Sequence, residues 1–120
     1  MARRVLIVDD DPQLLDELKC CLMDNYEVFT LQNSKEAVDT AVKVRPDVVL
    51  IDVGMPGESG LQIASKIMYF SDLDDIDIVM MSGNCRQRYE TLVELCGFKG
   101  FLFKPLCYED LRCKLEAAKV

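Results

Sequence analysis

Four short apolar runs in this sequence are each followed at once by side chains that can do chemistry. In chain order these side chains are Asp9 with Asp10, Asp52, Ser82 and Lys104. Carboxylates that lie close together repel one another, so a group of three requires a counter-ion or shared protons. A hydroxyl can donate a hydrogen bond, and a lysine ammonium is a compact charge suited to a phosphate or carboxylate oxygen. Brought together, the set favours chemistry on a phosphoryl group.

The available ligand types indicate a hard divalent cation. The chain has no histidine, and none of its six cysteines are paired at C-x-x-C spacing, so a zinc site is not indicated. Carboxylate oxygens with positions left open for water suit Mg²⁺ or Mn²⁺. A metal ion and a lysine can neutralise a transferring phosphoryl group while a hydroxyl holds one of its oxygens. The residue types therefore fit phosphoryl transfer to a carboxylate, and by themselves they leave open which aspartate is the nucleophile.

Buried strands alternating with amphipathic helices are predicted to position these residues. Continuous apolar runs predict five strands, over residues 5–8, 26–30, 47–51, 78–81 and 100–103. Helical spacing of apolar residues predicts a helix after each strand, the first capped by Asp11 with Pro12 at its first position, and the last two over 86–97 and 107–118. This alternation predicts one α/β domain, residues 1–120, with a parallel sheet covered on both faces. Ligands of such sheets bind at the carboxyl ends of the strands.

Bulk composition excludes several other classes of function. The net charge of the 120 residues is −7, and an acidic domain repels nucleic acid, so we expect no direct nucleic-acid binding. No apolar run reaches the roughly 18 residues of a membrane span, and the apolar stretch after Arg4 is too short for a signal peptide. We therefore expect a cytoplasmic protein. The six cysteines are interpreted as reduced thiols, several of them in the core.

Four segments together resemble the receiver domain of two-component response regulators. These are LIVDDDP at 6–12, DVVLIDVGMPG at 47–57, MMSG at 80–83 and GFLFKP at 100–105. They occur in the order and at the spacing of that family, and the resemblance covers essentially the whole chain. It implies a flavodoxin-like, doubly wound parallel sheet of five strands in the order 2-1-3-4-5.

The resemblance also implies a role for each residue of the site. Asp52 would be the phosphoacceptor, and Asp9 and Asp10 would be the acid pair that binds Mg²⁺ or Mn²⁺ together with Asp52. The backbone carbonyl of Gly54 would be a further metal ligand. Lys104 would contact the phosphoryl group. Such a domain would catalyse only its own phosphorylation and dephosphorylation and would not be an enzyme acting on another substrate.

A conformational switch and a set of partners are implied in the same way. Ser82 stands where the family has its switch hydroxyl, and Phe101 where it has its switch aromatic. Phosphorylation would draw Ser82 towards the new oxygens and alter the surface of helix 86–97, strand 100–103 and helix 107–118. The phosphodonor would be a sensor histidine kinase or a phosphotransfer protein. The output domain or partner protein would bind residues about 86–118, and a homodimer is a candidate assembly.

Some positions depart from the commonest pattern of the family. Gly54 is often a larger residue, Gly83 is often alanine, and Phe101 lacks the hydroxyl of the frequent tyrosine. Asn84 lies at a position that varies in the family and tunes the lifetime of the phosphoryl group. These departures leave the chemistry in place and bear on its rate.

Three other functions remain as alternatives. A haloacid-dehalogenase-type phosphatase would use Asp9 as its nucleophile, but the chain is short for that family and has Gln13 where its motif requires Thr or Val. A phosphorylation-independent interaction module could share the fold, although it would not need the complete set of acids, serine and lysine. A flavodoxin-like electron carrier requires a phosphate loop after the first strand. This chain has three acids there.

Overall fold

The computed structural model describes most of the chain as alternating strands and helices. The described residues are 3–54, 60–70, 76–83, 100–104 and 106–118. The elements, in chain order, are β1 (Arg3–Val8), α1 (Pro12–Leu22), β2 (Tyr26–Leu31), α2 (Ala37–Val44), β3 (Val48–Asp52), α3 (Gly60–Phe70), β4 (Asp77–Ser82), β5 (Gly100–Phe103) and α4 (Tyr108–Ala118). The helix predicted over 86–97 lies outside the described residues. All five predicted strands are present.

The strands form one parallel sheet in the order β2-β1-β3-β4-β5, which confirms the predicted topology. Strand order reverses on either side of β1, so ligands are expected in the crevice beside its carboxyl end. Val8 of β1 pairs with Ile51 of β3, and Asp52 pairs with Met81 of β4. This register brings the carboxyl ends of β1, β3 and β4 to the same edge of the sheet.

Helices cover both faces of the sheet because alternate strand residues point in opposite directions. On one face, Leu6 and Val8 pack with α2 and α3 in a cluster that we call the α2–α3 layer. On the other, Val5 and Ile7 pack with α1 and α4 in the α1–α4 layer. All four of these strand side chains are fully buried. Strands buried on both faces explain the continuous apolar runs of the sequence.

The first helix begins as its sequence predicts and packs a leucine face against the sheet. Asp11 is the N-cap, and its carboxylate accepts hydrogen bonds from the backbone N–H groups of Gln13 at 3.0 Å and Leu14 at 3.4 Å. The residues buried from this helix are Leu15, Leu18 and Leu22. Because these three leucines fill the space against the sheet, neighbouring positions turn towards solvent.

The prediction that several cysteines lie in the core is wrong for the cysteines that the structure describes. Cys20, Cys21, Cys107 and Cys113 are all exposed, free thiols. Cys20 and Cys21 lie in the last turn of α1, and Cys107 and Cys113 lie on either side of the buried Leu111 in the sequence. At the described buried positions of α1 and α4 the side chains are leucines rather than these thiols.

Adjacent arginines at the start of β1 hold helices on opposite faces of the sheet. The Arg3 guanidinium donates a hydrogen bond to the carbonyl of Leu115 near the end of α4, at 2.9 Å. The Arg4 guanidinium donates to the carbonyl of Val44, the last residue of α2, at 2.7 Å. Carbonyls of a last helical turn lack partners within the helix, and the helix dipole favours a cation there. We call Arg3 and Arg4 the arginine clamp, which lies at the amino edge of the sheet.

Candidate functional site

The candidate site lies at the carboxyl edge of the sheet, where β1 and β3 run side by side. Asp9 follows β1 and is fully buried, and Asp52 ends β3 with 6% of its surface exposed. Asp10 is exposed. One carboxylate oxygen from each of these three residues lies within 4.8 Å of the others. The convergence predicted from the strand ends is therefore present for the three acids.

Asp9 is held on both of its carboxylate oxygens. Its Oδ1 accepts a hydrogen bond from the backbone N–H of Asp11 at 2.9 Å. Its Oδ2 accepts one from Lys104 Nζ at 2.7 Å. A buried carboxylate requires such partners because water is not there to solvate it. Asp9 is thus fixed in position by the turn that starts α1 and by the residue that follows β5.

Lys104 joins the acids from across the sheet. Its Nζ lies 2.7 Å from Asp9 Oδ2 and 3.4 Å from Asp52 Oδ2, while its side chain is 25% exposed. The backbone N–H of Lys104 donates to the carbonyl of Ser82 at 2.9 Å, which fixes the start of this side chain beside the end of β4. One ammonium therefore contacts two carboxylates from the side of β4 and β5.

Asp52 is held more loosely than Asp9. Its Oδ1 accepts a hydrogen bond from the backbone N–H of Gly54 at 3.0 Å. Its Oδ2 faces Lys104 at 3.4 Å, a longer contact than the one Lys104 makes with Asp9. The Asp52 side chain is 9% exposed, whereas that of Asp9 is 0% exposed. Of these two carboxylates, only that of Asp52 has an oxygen with a weak partner and some access from outside.

The electrostatics of the cluster raise two pKa values. Burial raises the pKa of the Asp52 carboxyl, and the charge of Asp9 adds to the rise, although the Gly54 N–H and Lys104 act against it. Burial would lower the pKa of Lys104, but the hydrogen bond to Asp9 and the charge of Asp52 outweigh it, so that pKa is raised. The site thus keeps its ammonium charged and disfavours the charge on Asp52.

Comparison with known proteins identifies the family. The family described as "Response regulator receiver domain" matches residues 5–116. The chain belongs to the response regulator receiver family. It is 30% identical over 119 residues to the transcriptional regulatory protein KdpE of Staphylococcus aureus, covering 97% of this chain and 49% of that protein. It is 31% identical over 118 residues to the response regulator MprA of Mycolicibacterium vanbaalenii, covering 98% and 50%. This receiver domain therefore spans about half the length of these curated relatives.

Solved structures of receiver domains share the fold. The chemotaxis response regulator CheY4 of Vibrio cholerae has a TM-score of 0.88 and 28% identity, covering 98% of this chain and 99% of that one. A CheY-like receiver domain protein from Methanospirillum hungatei JF-1 also has a TM-score of 0.88, with 24% identity and coverage of 98% and 93%. The flavodoxin-like fold predicted from the sequence is confirmed.

The donor set of the receiver domain fits a hard divalent cation. Receiver domains bind Mg²⁺ at an acidic aspartate cluster, and Asp9, Asp10 and Asp52 offer three carboxylate oxygens within 4.8 Å of one another. Lys104 neutralises one of these three negative charges, so a divalent ion would balance the remaining two. Gly54 adjoins the cluster, since a Cβ built on it would lie 3.7 Å from Asp52 Oδ1. Oxygen ligands with one exposed member suit Mg²⁺ or Mn²⁺.

The two residues assigned to the switch lie on the neighbouring strands. Ser82 ends β4, is 3% exposed and pairs with Phe103 of β5. Phe101 is 9% exposed and packs in the α2–α3 layer, with its ring centroid 4.9 Å from that of Phe103. Leu102 packs in the α1–α4 layer, on the opposite face of the sheet, as expected for successive residues of a strand. Ser82 is thus buried beside the strand that leads into Lys104, and Phe101 is buried within that strand.

Membrane insertion gains no support from the described helices, because none is long and apolar enough to cross a bilayer.

Proposed function

We propose that this receiver domain accepts a phosphoryl group on Asp52 from a sensor histidine kinase or a phosphotransfer protein, in a reaction that depends on Mg²⁺ or Mn²⁺. The observation that carries the proposal is the difference between the two buried aspartates. Asp9 has both oxygens occupied by short hydrogen bonds, whereas among the described residues Oδ2 of Asp52 has only the 3.4 Å contact with Lys104. A nucleophile needs an available oxygen that faces the reacting phosphorus. That requirement favours Asp52.

Each residue of the site would have a distinct role in the phosphoryl transfer. The N–H of Gly54 holds Oδ1 of Asp52, which leaves Oδ2 to attack. Lys104 would leave its contact with Asp52 Oδ2 and bind an oxygen of the transferring group while retaining its short bond to Asp9. Asp9, Asp10, Asp52 and the Gly54 carbonyl would hold the metal ion, which when bound neutralises charge on the phosphoryl oxygens. Catalysis here consists of positioning and charge neutralisation.

Signalling would follow from the new charge on Asp52. Ser82 would donate its hydroxyl hydrogen to a phosphoryl oxygen, and Phe101 would move towards the space that Ser82 leaves. The surface formed by residues about 86–118, part of which lies outside the described residues, would then favour a different partner. Phosphorylation can shift such an equilibrium only by the difference in its interaction energy with the two conformations.

The switch predicts a specific dependence on the Ser82 hydroxyl. Binding of the phosphoryl mimic beryllofluoride with Mg²⁺ is expected to shift the NMR signals of Phe101 and Leu102 in the wild-type protein. In Ser82→Ala we expect the mimic to bind while most of the Phe101 shift is lost, because no hydroxyl is drawn to the mimic. Ser65→Ala, on the exposed side of α3, is the matched control. Identical Phe101 shifts in Ser82→Ala and the wild-type protein would contradict the switch.

The remaining features of the proposal come from the family. We propose one receiver domain over residues 1–120, located in the cytoplasm, that modifies only itself and does not act on a separate substrate. Its output would be a domain or a partner protein bound through residues about 86–118, and a homodimer is one possible assembly. Both curated relatives are named as regulators, and each is about twice the length of the matched chain.

Metal dependence provides the direct test of the function. Incubation with acetyl phosphate and Mg²⁺ is expected to add one phosphoryl group per chain, detected by intact-protein mass spectrometry. With EDTA in place of Mg²⁺ the added mass is expected to disappear, because three carboxylates and one ammonium leave the site too negative for an anionic donor. Calcium-saturated EDTA is the control for chelator effects. A chain that gains no mass from acetyl phosphate or a kinase in Mg²⁺ would instead be a phosphorylation-independent interaction module.

A further inference from the structure

Gly60, the first residue of α3, lies against the backbone at the end of β3. A Cβ built on Gly60 would lie 2.3 Å from the carbonyl oxygen of Asp52, 2.8 Å from its carbonyl carbon and 2.8 Å from Cα of Val53. All three are backbone atoms, so they cannot rotate aside as the tip of a long side chain could. Any residue larger than glycine at this position must therefore separate the start of α3 from the end of β3.

Both sides of this contact are held in place by other interactions. On the strand side, Asp52 pairs with Met81 of β4, and the N–H of Val53 donates to the carbonyl of Met81 at 3.0 Å. On the helix side, Ile63 and Ile67 of α3 are fully buried in the α2–α3 layer. Neither element can retreat without losing packing or hydrogen bonds. The peptide that carries the Asp52 side chain is thus enclosed between β4 and Gly60.

We propose that Gly60 is a positioning residue for the phosphoacceptor. Its missing side chain lets the first turn of α3 close on the Asp52 peptide and hold the carboxylate within 3.4 Å of Lys104 and near Asp9 and Asp10. The inference rests on the proposed role of Asp52. Ordinary contact between such atoms begins at 3.4 Å. With alanine at position 60, the 2.3 Å distance from its Cβ to the Asp52 carbonyl oxygen must therefore increase by about 1 Å. A displacement of that size in a reacting group costs on the order of 10²-fold in rate.

Two other substitutions separate positioning from general effects on the fold. Gly100→Ala is the matched glycine control, because the nearest described atoms to a Cβ at Gly100 belong to the long, exposed side chain of Lys114, whose Cδ at 3.0 Å can rotate aside. Ile67→Ala is the stability control: it leaves a cavity two turns further along α3 and adds no atoms at the end of β3. Gly60→Ala differs from both in bringing new atoms against the Asp52 peptide.

The experiment compares the rate of phosphorylation by acetyl phosphate and Mg²⁺ in the three variants. All are assayed in sucrose, which is excluded from the protein surface and favours the folded state. Gly60→Ala is expected to react on the order of 10²-fold more slowly than the wild-type protein, and the two controls at nearly the wild-type rate. NMR supplies a readout that does not depend on turnover. In Gly60→Ala the metal-free amide signals of Val53 and Gly54 should shift and Mg²⁺ should bind more weakly, with neither change in Gly100→Ala or Ile67→Ala.

Three results would overturn the inference. The first is a Gly60→Ala variant with wild-type rate and Mg²⁺ affinity. The second is an equal loss in Gly60→Ala and Ile67→Ala, which would make the effect one of stability. The third is a Gly60→Ala chain that stays unfolded in sucrose, which would make Gly60 a requirement of folding alone. If the wild-type chain is not phosphorylated, the proposed function fails, and the NMR and Mg²⁺ comparison still decides whether Gly60 positions Asp52.

Discussion

Asp52→Asn is expected to abolish phosphorylation by acetyl phosphate in Mg²⁺, with no added phosphoryl group at any time of incubation. The amide has nearly the shape of the carboxylate but lacks the nucleophilic oxygen, so the loss should be complete. The fold should survive, because burial already disfavours the Asp52 charge, as the raised pKa of this carboxyl shows. Intact-protein mass spectrometry measures the modification, and urea unfolding confirms that the variant is folded.

Asp9→Asn and Asp16→Asn complete this experiment. Asp9 has both oxygens engaged and would bind metal, so its replacement should slow the reaction on the order of 10²-fold while the phosphoryl group still appears on Asp52. Asp16 is exposed on α1 and serves as the matched control, with an unchanged rate. A phosphatase of the haloacid-dehalogenase type would give the opposite pattern. Its modification would vanish with Asp9→Asn and persist with Asp52→Asn.

Lys104→Met should reduce the phosphorylation rate on the order of 10²- to 10³-fold, the usual cost of removing one preorganised group that stabilises transition-state charge. Methionine keeps most of the length and apolar volume of the lysine stem but removes the ammonium. The ammonium contacts Asp9 at 2.7 Å and Asp52 at 3.4 Å, and among the described residues these are the ion pairs that the two carboxylates make. The measurement is the initial rate with acetyl phosphate at saturating Mg²⁺.

The same variant should also be less stable without metal. Removing Lys104 leaves a fully buried Asp9 carboxylate without its shortest hydrogen bond, and an uncompensated buried charge is strongly destabilising. Mg²⁺ should restore part of the lost free energy of unfolding, because it binds the folded state alone. Lys43→Met, an exposed lysine of α2, is the matched control and should change neither rate nor stability appreciably. A Lys104→Met variant that reacts at the wild-type rate would show that the ammonium does not contact the transferring group.

The approach of Asp9, Asp52 and Lys104 was predictable because it follows from topology. Each of the three directly follows a short apolar run, and the ends of parallel strands meet at one edge of a sheet. The burial of both strand faces likewise follows from the continuous apolar runs of β1 and β3. These predictions use only the order and the period of residues along the chain, which a sequence states directly.

Finer features of the site depend on contacts that no local pattern encodes. The closer enclosure of Asp9 depends on a turn that brings the Asp11 N–H onto its Oδ1 and on the conformation of the Lys104 side chain. In the sequence, Gly60 resembles the other loop residues that follow Asp52. A glycine directly before an apolar helix face is only a weak indication that two backbone segments approach closely. The close contact becomes apparent only once the structure shows that the first residue of α3 lies against the backbone at the end of β3.

The arginine clamp restrains two helices at the amino edge of the sheet, the edge opposite the candidate site. Two consecutive residues of one strand anchor α4 through the Leu115 carbonyl and α2 through the Val44 carbonyl. Both helices are therefore hydrogen-bonded at the edge farthest from Asp52, and sliding either one along the sheet would break one of these bonds. If phosphorylation of Asp52 rearranges the domain as proposed, the movement of α4 would be a tilt about its Leu115 anchor, largest at the start of the helix. The arginine hydrogen bonds would thus convert a small movement near Asp52 into a change in the angle between α4 and the sheet.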